Sequence, residues 1–404
     1  RKPNRIGQKA SKIRDTSPKI EKELSAIKTT IERRSKAEVA TYMQTSNRAQ
    51  TDKEKQSSET PIRILHLSDI HVNPDTDPLS RLQPLISDLR DTEFLGIEHL
   101  DYLVISGDLT DKAQPEEFEK VHEFLSRLIE QFRLSAERCI IVPGNHDLRW
   151  FSGCYEWKDR RVVNLKALKL GSYKEQGDGY LIRVDEKYPN RFENFGKFYH
   201  QLVQKPYPTE AAKQGLSFLF EEHGLQFLAL NSASEIDEYF PERSSINEGA
   251  LTKGLFEANE QIRQAKKEGR LVPDAEMLRI AVWHHPVTGN EKIVQDAFLE
   301  QLRKAEFKLC LHGHVHEDRA DLVGYVHPTR QLHIAGAGSF GAAKDQRPES
   351  MPRLYNLIEI ERDHSAIRIH TRCMKKNLGA WEGWAVWPGP DRHGKRSYYE
   401  IRFQ

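Results

Sequence analysis

Residues 62–71 read IRILHLSDIH, and this stretch decides how the rest of the chain is interpreted. Residues 62–67 form an apolar run of strand length, and Asp69 and His71 follow it at once. A continuous apolar run is typical of a strand buried on both faces of an α/β sheet, and the loops after such strands gather active sites. The stretch therefore predicts a central strand with two potential ligand side chains at its carboxyl end.

Four further segments repeat this pattern downstream. Each places Asp, Asn or His directly after an apolar strand-like run: Gly107-Asp108, Gly144-Asn145-His146-Asp147, His284-His285 and Gly313-His314-Val315-His316. Taken singly, a Gly-Asp pair is typical of a turn, and a lone His is typical of a surface or core position. Five such segments in order, each at a strand end, instead predict that their side chains converge on one site.

Strand-like runs alternate with helical patterns along most of the chain. The predicted strands lie at 62–67, 101–106, 138–142, 216–220, 226–230, 278–283, 308–311, 332–335, 354–360, 366–370 and 398–403. The predicted helices lie at about 79–89, 116–132 and 291–303. This alternation indicates an α/β class with crossover connections and a strand-rich C-terminal part.

The five segments resemble the motifs of the calcineurin-like metallophosphoesterase superfamily, most closely its phosphodiesterase-like branch. The family pattern is D-x-H, G-D, G-N-H-[DE], H and G-H-x-H, and all five elements occur here from Asp69 to His316. The resemblance implies a four-layer α/β/β/α sandwich with two mixed sheets and a metal site in the loops after the strand C-termini. It also implies hydrolysis of phosphate esters by a hydroxide that bridges two divalent cations.

By position, the resemblance assigns seven metal ligands to two cations. The set for one cation is Asp69, His71 and His316, the set for the other is Asn145, His284 and His314, and Asp108 bridges both. Oxygen and nitrogen ligands without thiolate suit Mn, Fe, Zn or Mg, of which we favour Mn or Fe. With only two carboxylates in the set, the centre is expected to remain electropositive towards a phosphate.

His146 follows a ligand but is not one in the family pattern. The resemblance implies that it faces the substrate, where it stabilises the transition state or protonates the leaving oxygen. The alternative is a hydrogen bond that supports a ligand. Asp147 is expected to orient His146, and His285 is expected to support the neighbouring ligand without touching the metal.

The chain is predicted to have three parts. Residues 1–60 form a basic helical and linker appendage with 15 Lys or Arg against 8 Asp or Glu, residues 61–375 the metallophosphoesterase domain, and residues 376–404 a Trp-rich C-terminal extension. A helix at 18–32 with a narrow apolar seam is expected to dock onto the body, a partner or another copy. The Trp-rich extension is expected to act as a hydrophobic lid or docking surface.

Within the domain, residues 148–215 read as an insertion that caps the site. Its Tyr155, Arg160 and Arg161 are candidates to stack on a base and to pair with a second phosphate of the substrate. The alternative is a solvated basic loop without a binding role.

Composition limits the remaining function classes. The chain has a net charge of +1, no apolar run of the roughly 18 residues that span a bilayer, and four cysteines without the spacing of a zinc or redox site. These features predict a reducing, cytoplasmic setting without a membrane span. The favoured function is a phosphodiesterase acting on a nucleotide or a similar small ester. The alternatives are a nuclease with the same two-metal chemistry, which needs a positive groove beside the metals, and a non-catalytic scaffold.

Overall fold

The structure is a computed structural model, and it describes residues 60–317, 319–324, 331–348, 350–376, 379–389 and 394–403. The predictions for residues 1–59, including the helix at 18–32, lie outside the described residues. From Pro61 onward the chain forms one compact unit. None of the described helices is long and apolar enough to cross a membrane.

The described part of the chain alternates between strands and helices, joined in places by short 3-10 turns. In chain order the elements are β1 (Ile62–Leu67), α1 (Leu79–Arg90), β2 (Tyr102–Ser106), α2 (Pro115–Gln131), β3 (Cys139–Val142), β4 (Tyr155–Asp159), β5 (Tyr173–Gln176), β6 (Gly179–Arg183), α3 (Glu193–Val203), β7 (Gly215–Phe220), β8 (Leu225–Leu230), α4 (Glu248–Lys267), β9 (Leu278–Val282), α5 (Ala297–Lys304), β10 (Phe307–His312), β11 (Arg319–Gly324), β12 (Gln331–Gly336), β13 (Arg353–Ile360), β14 (Ala366–Met374), β15 (Glu382–Gly383), β16 (Trp387–Pro388), β17 (Lys395–Arg396) and β18 (Tyr398–Arg402).

Two mixed sheets form the body, as predicted. The first has the order β15-β14-β13-β1-β2-β3, with β18 also paired to β14, and its strands β1, β2 and β3 are parallel. The second has the order β11-β12-β10-β9-β8-β7, and its strands β8, β9, β10 and β12 are parallel. Because parallel strands end at the same edge of a sheet, the loops after them are brought together.

Three apolar clusters explain why the strands are apolar on both faces. Along β1, Ile62 and Ile64 enter a cluster shared by the two sheets, whereas Leu65 and Leu67 enter a cluster with α1, α2 and α3. A third cluster joins the outer face of the second sheet to α4 and α5. Burial of both faces requires a nearly continuous apolar sequence. The mixed α/β class is therefore confirmed, and the clusters are those expected of an α/β/β/α sandwich.

Helix α4 was not predicted, although its start carries a recognisable signal. The Asn247 side chain accepts hydrogen bonds from the backbone N–H groups of Gly249 and Ala250, which is an N-cap. Leu251 and Ala258 are buried on the face that packs against the second sheet. An N-cap residue followed by spaced apolar residues would have identified this crossover helix.

The helix predicted at 291–303 is shorter in the structure, where α5 begins at Ala297. Tertiary contacts hold the preceding residues in a loop: the Ile293 N–H donates to the Pro286 carbonyl and the Val294 N–H to the Ser244 carbonyl. Helical periodicity in the sequence does not register such contacts. The loop matters because it carries Glu291 into the site described below.

The insertion and the C-terminal segment both join the main body. Residues 148–215 contain a small antiparallel sheet, β4-β6-β5, and helix α3, which packs in the cluster beneath the first sheet. In the C-terminal segment β18 pairs with β14, and the buried Trp381 stacks on Phe340 with ring centroids 5.6 Å apart. Trp381 is thus a core residue rather than part of a lid.

Candidate metal centre

The loops after β1 and β2, and those after β9 and β10, are tied together by backbone hydrogen bonds. The Asp69 N–H donates to the Gly107 carbonyl at 3.0 Å, and the His71 N–H donates to the Asp108 carbonyl at 3.1 Å. In the second sheet the Gly313 N–H donates to the His284 carbonyl at 3.0 Å. The polar residues predicted from five separate segments are thereby held at one edge of the body.

One group of ligand atoms consists of Asp69, His71 and His316. The Nε2 atom of His316 lies 3.0 Å from Asp69 Oδ1, and His71 Nε2 lies 3.8 Å from the same oxygen. The two Nε2 atoms are 3.2 Å apart. A carboxylate oxygen and two imidazole nitrogens at this spacing are a suitable ligand set for a divalent cation.

A second group contains His284 and His314. Their facing nitrogens, His284 Nε2 and His314 Nδ1, are 3.2 Å apart. Asn145 follows Gly144, whose backbone packs so tightly on Asp108 that an added Cβ would lie 2.1 Å from Asp108 Oδ1. The Oδ1 atom of Asn145 is buried and has no hydrogen-bond partner among the described residues, so it is available as a ligand.

Asp108 lies between the two groups. Its Oδ2 atom is 3.8 Å from His71 Nε2 and 3.1 Å from His284 Nε2, while its Oδ1 accepts a hydrogen bond from the His146 N–H at 2.8 Å. A single carboxylate that faces both groups is in the position of a bridging ligand. The structure therefore brings six of the seven predicted ligands to one site with Asp108 in the centre, and Asn145 lies between Gly144 and His146, whose backbones both contact Asp108.

In the neutral form of His284, His314 and His316, an acceptor on the far side of the ring selects the tautomer. His284 Nδ1 donates to the Ser106 carbonyl at 2.7 Å and His316 Nδ1 donates to the Gln346 carbonyl at 2.5 Å, which leaves each Nε2 with a lone pair. His314 is reversed: its Nε2 lies 3.3 Å from Glu291 Oε2, so its Nδ1 carries the lone pair. These acceptors orient the imidazoles as metal ligands.

The charges in the site fit two divalent cations. Burial opposes the charged form of His71, but Asp111, Asp69 and Asp108 outweigh it and raise its pKa to about 10. Burial likewise opposes a charge on His284, and Asp108 nevertheless raises its pKa to about 9. A cation bound by these imidazole nitrogens would therefore have to displace a proton.

The backbone at the site is strained. Five of the seven ligands have a positive φ: Asp69 (52°), His71 (46°), Asp108 (52°), His314 (70°) and His316 (55°). Residues other than glycine rarely adopt this region, and such conformations concentrate at functional sites. A glycine is also needed at position 313, because its backbone lies so close to Ser68 that an added Cβ would be 1.8 Å from Ser68 Oγ.

His146 lines the open cavity in front of the ligands. This cavity measures about 540 Å³ and is also lined by Asp108, His314, His316, Glu291 and Gln346. His146 Nδ1 donates to the Asp111 carbonyl at 2.8 Å, and its ring centroid is 4.8 Å from that of His71. The side chain of His146 is 35% exposed. Because Nδ1 is used in the hydrogen bond to Asp111, Nε2 is the ring nitrogen left to face the cavity.

Asp147 and His285 are buried, and their side chains make hydrogen bonds within the loops instead of lining the cavity. The Asp147 carboxylate accepts hydrogen bonds from the backbone N–H groups of Leu109, Thr110 and Gly144, so it fixes the turn that carries Asp108. His285 Nδ1 lies 2.8 Å from Ser232 Oγ. Asp147 was expected to orient the His146 ring. In the structure the ring instead donates its hydrogen bond to the Asp111 carbonyl.

The three residues predicted to contact substrate are not among those lining this cavity. The Tyr155 hydroxyl donates to Asp237 at 2.8 Å. Arg160 pairs with Glu175, and Arg161 pairs with Asp159, in the exposed β4–β6 region. Their role as substrate contacts stays a prediction, and these local contacts give it no support.

Sequence reasoning missed three residues that surround the ligands: Asp111, Glu291 and Gln346. Asp111 Oδ1 lies 3.9 Å from His71 Nδ1 and accepts a hydrogen bond from the Gln346 side chain at 3.3 Å. Asp111 follows the Gly107-Asp108 segment closely, so its position after β2 was a usable signal. Glu291 shares the loop of the His284-His285 motif and Gln346 belongs to a later loop, and no sequence motif marks either residue.

Two groups of Asp and His side chains joined by one carboxylate, at the strand ends of two mixed sheets, define the class of dinuclear metallophosphoesterases. The chain belongs to the calcineurin-like phosphoesterase family, whose sequence model matches residues 62–318. The family predicted from the five motifs is therefore confirmed.

One curated relative and two solved structures illustrate the similarity. The "Uncharacterized metallophosphoesterase-like protein YydB" of Bacillus subtilis (strain 168) is 26% identical over 265 residues, or 63% of this chain, and the match covers 49% of the relative, about half its length. A purple acid phosphatase from yellow lupin (Lupinus luteus) seeds is 12% identical with a TM-score of 0.46 over 86% of this chain and 54% of its own. Vacuolar Protein Sorting 29 of Cryptosporidium parvum is 10% identical with a TM-score of 0.35, and the match covers 85% of this chain and 100% of that protein.

Proposed function

We propose that this protein hydrolyses phosphate esters with two divalent cations, and that its substrate is a phosphodiester of a nucleotide or a similar small ester. The observation that carries the proposal is the position of Asp108 Oδ2, 3.8 Å from His71 Nε2 and 3.1 Å from His284 Nε2. One carboxylate shared by two ligand groups is the arrangement that two closely spaced cations require.

Each cation has its own ligand set in this proposal. Asp69, His71 and His316 hold one, Asn145, His284 and His314 hold the other, and Asp108 contacts both. When bound, the cations supply positive charge for the phosphate oxygens and activate a water for attack. Oxygen and nitrogen ligands without thiolate suit Mn, Fe, Zn or Mg, of which we favour Mn or Fe.

His146 is the group that we assign to the substrate side. Its Nδ1 is fixed by the Asp111 carbonyl at 2.8 Å, so its Nε2 is left to face the cavity. From there it donates a hydrogen bond to a phosphate oxygen or a proton to the leaving oxygen. Asn145 is a neutral ligand, so fewer negative charges oppose an anionic substrate than an Asp there would bring.

The test is metal-dependent hydrolysis of bis(p-nitrophenyl) phosphate and p-nitrophenyl phosphate by chelator-stripped protein reloaded with Mn, Fe, Zn or Mg. We expect turnover only after reloading, two metal ions per chain, and a preference for the diester. Asp108→Asn is the inactive control. Full activity in the stripped protein, or a stoichiometry of no bound metal after reloading, would overturn the proposal; a preference for the monoester would overturn only its diester part.

A further inference from the structure

The loop between β4 and β5, residues 160–172, combines apolar and cationic side chains and has no acidic one. Its sequence is RRVVNLKALKLGS, and it contains four cations and five large apolar residues: Arg160, Arg161, Lys166, Lys169, Val162, Val163, Leu165, Leu168 and Leu170. Loops on a protein surface are usually polar, so this composition needs a physical reason. We call residues 160–172 the β4–β5 loop.

Two of these apolar side chains are almost fully in solvent. Leu170 is 90% exposed and Val162 is 75% exposed, and with Phe151 of the same insertion they are the three most exposed large apolar side chains among the described residues. The other three apolar residues of the loop are half-buried. Apolar surface that stays in water adds nothing to the stability of the fold, so Val162 and Leu170 are available for a contact outside the chain.

Contacts on its inner side hold the β4–β5 loop on the small sheet. The Arg160 guanidinium lies 5.1 Å from the centroid of the Tyr180 ring in β6. The Asn164 side chain accepts a hydrogen bond from the Lys166 N–H at 3.2 Å, which fixes a turn in the middle of the loop. The loop is therefore anchored, while its exposed apolar side chains do not fold back onto the sheet.

Lysines without acidic partners accompany the exposed apolar side chains. The two arginines of the loop are paired with acids of β4 and β5, as described above. Lys166 and Lys169 of the loop and Lys158 of β4 are exposed, and none of the three forms an ion pair with another described residue. Positive charge is therefore left over beside exposed apolar surface.

This surface continues from the loop towards the metal centre. Lys169 and Leu170 line a cavity of about 1010 Å³ together with Val294, another exposed apolar side chain. Glu291, which precedes Val294 by three residues, lines the metal cavity. Because three residues span at most about 11 Å, the exposed apolar surface lies beside the metal cavity.

A membrane surface that contains anionic lipids matches both features. Its headgroups attract lysines, and the boundary between headgroups and acyl chains accepts apolar side chains. A side chain as exposed as Leu170 projects from the protein, and a fluid lipid layer accepts such a projection without a complementary pocket. An acidic protein surface would attract the lysines equally but would offer no apolar phase for Val162 and Leu170.

We propose that the β4–β5 loop binds this protein to the surface of membranes that contain anionic phospholipids. Val162 and Leu170 enter the boundary between headgroups and acyl chains, and the exposed lysines contact the headgroups. The protein lies on the membrane in this arrangement and does not span it. The inference goes beyond the proposed function and does not depend on it.

The test measures sedimentation of the metal-loaded full chain with vesicles of phosphatidylcholine alone and of phosphatidylcholine mixed with phosphatidylserine. We expect binding to the mixed vesicles and much weaker binding to phosphatidylcholine alone. In Val162→Asp/Leu170→Asp the partition coefficient for the mixed vesicles should fall by roughly tenfold or more, because apolar contacts are lost and negative charges meet an anionic surface. The control Val272→Asp/Phe256→Asp makes the same change in charge at apolar positions that are 64% exposed and lie outside the insertion, and should bind nearly as tightly as the unsubstituted protein.

Lys166→Gln/Lys169→Gln tests the charges separately. Its partition onto the mixed vesicles should fall by about fivefold for each lysine removed, and its binding to phosphatidylcholine alone should not change. The control Lys197→Gln/Lys304→Gln removes the same charge from exposed positions on α3 and α5 and should leave binding unchanged. Residues 1–59 are present in every variant, so a contribution from their basic side chains is common to all of them.

Equal binding of the test and control variants, or no binding of the unsubstituted chain to the mixed vesicles, would overturn the proposal. Sedimentation velocity without lipid checks the other occupant of the surface. If the unsubstituted chain is a dimer that Val162→Asp/Leu170→Asp dissociates, the loop joins two copies of the chain and the membrane proposal is wrong. Unfolding midpoints verify that the exposed substitutions leave the fold intact. None of these measurements uses hydrolysis, so their failure is distinguishable from failure of the proposed function.

Discussion

Two of the buried charged clusters in the described part of the chain, one at Asp88 and one at the candidate metal centre, differ in how their polar groups are matched. Asp88 of α1 accepts hydrogen bonds from Arg372 and Tyr355 of the first sheet, so its charge is matched on the spot. In the metal centre, by contrast, ring nitrogens face one another in pairs 3.2 Å apart, around two carboxylates. A carboxylate matched by a guanidinium and a hydroxyl holds the structure together, whereas ring nitrogens that face one another around carboxylates are placed to share a cation.

The backbone conformation also differs between the two clusters. Asp88, Tyr355 and Arg372 lie within regular elements, whereas five of the seven metal ligands have positive φ. Strain of this kind persists only where the surrounding fold imposes it. The Asp88 cluster should therefore control stability and the candidate metal centre activity, and four substitutions test that division.

Asp108→Asn should have the largest effect. The amide keeps the size but removes the charge shared by both ligand groups, so we expect turnover to fall roughly a thousandfold or more, with weaker binding of both metals. Steady-state kinetics and elemental analysis of bound metal measure the two effects. Turnover within a few-fold of the unsubstituted protein would remove Asp108 from the bridging position.

Asp88→Asn should lower the stability of the protein and leave its activity unchanged. It leaves the Arg372 guanidinium buried, with its side chain 5% exposed, without a carboxylate, and we expect a loss of about 3 kcal/mol in the free energy of unfolding. Denaturant unfolding measures it. Lys197→Gln, which breaks an exposed pair with Glu193, is the control and should leave the midpoint unchanged.

At permissive temperature the folded Asp88→Asn protein should retain its turnover and metal content. If activity is lost in proportion to that of Asp108→Asn, the two clusters are not separable and the distinction between them is wrong.

His146→Ala should lower turnover about a hundredfold while the protein keeps both metals, because His146 lines the cavity and belongs to neither of the two ligand sets proposed above, although its ring also lies near His71 and Asp111. Metal analysis of the same preparation separates this result from a general collapse of the site. Loss of both metals would show that the ring supports the ligands instead of facing the substrate.

Glu291→Gln should have the smallest effect of the four. The carboxylate lies 3.3 Å from His314 Nε2 but is 68% exposed, so water competes for the same hydrogen. We expect the affinity for one of the two cations to fall by roughly tenfold at most, measured by titration of stripped protein. The amide can still accept through its oxygen, so Glu291→Ala should weaken that cation further; equal affinities in both variants and the unsubstituted protein would exclude the contact.

Much of the fold could be read from the sequence because both sheets are buried on both faces. Residues 62–67 were predicted as a strand and form β1 without change, and the strand predicted at 354–360 begins one residue earlier in β13. Helix α4 was missed, and α5 was predicted six residues too long at its start. In both cases helix limits depended on a cap or on tertiary contacts that periodicity does not express.

The sequence by itself determined the ligand types and their order, because five short motifs at strand ends recur as a set and each ligand follows its own strand. Only the tertiary structure decided what surrounds those ligands. Glu291 lies in the loop after the His284-His285 motif without belonging to it, Gln346 comes from a loop after the last motif, and the predicted Arg160 and Arg161 are paired locally instead. Hydrogen bonds and charge pairs depend on distance in space, which local sequence does not encode.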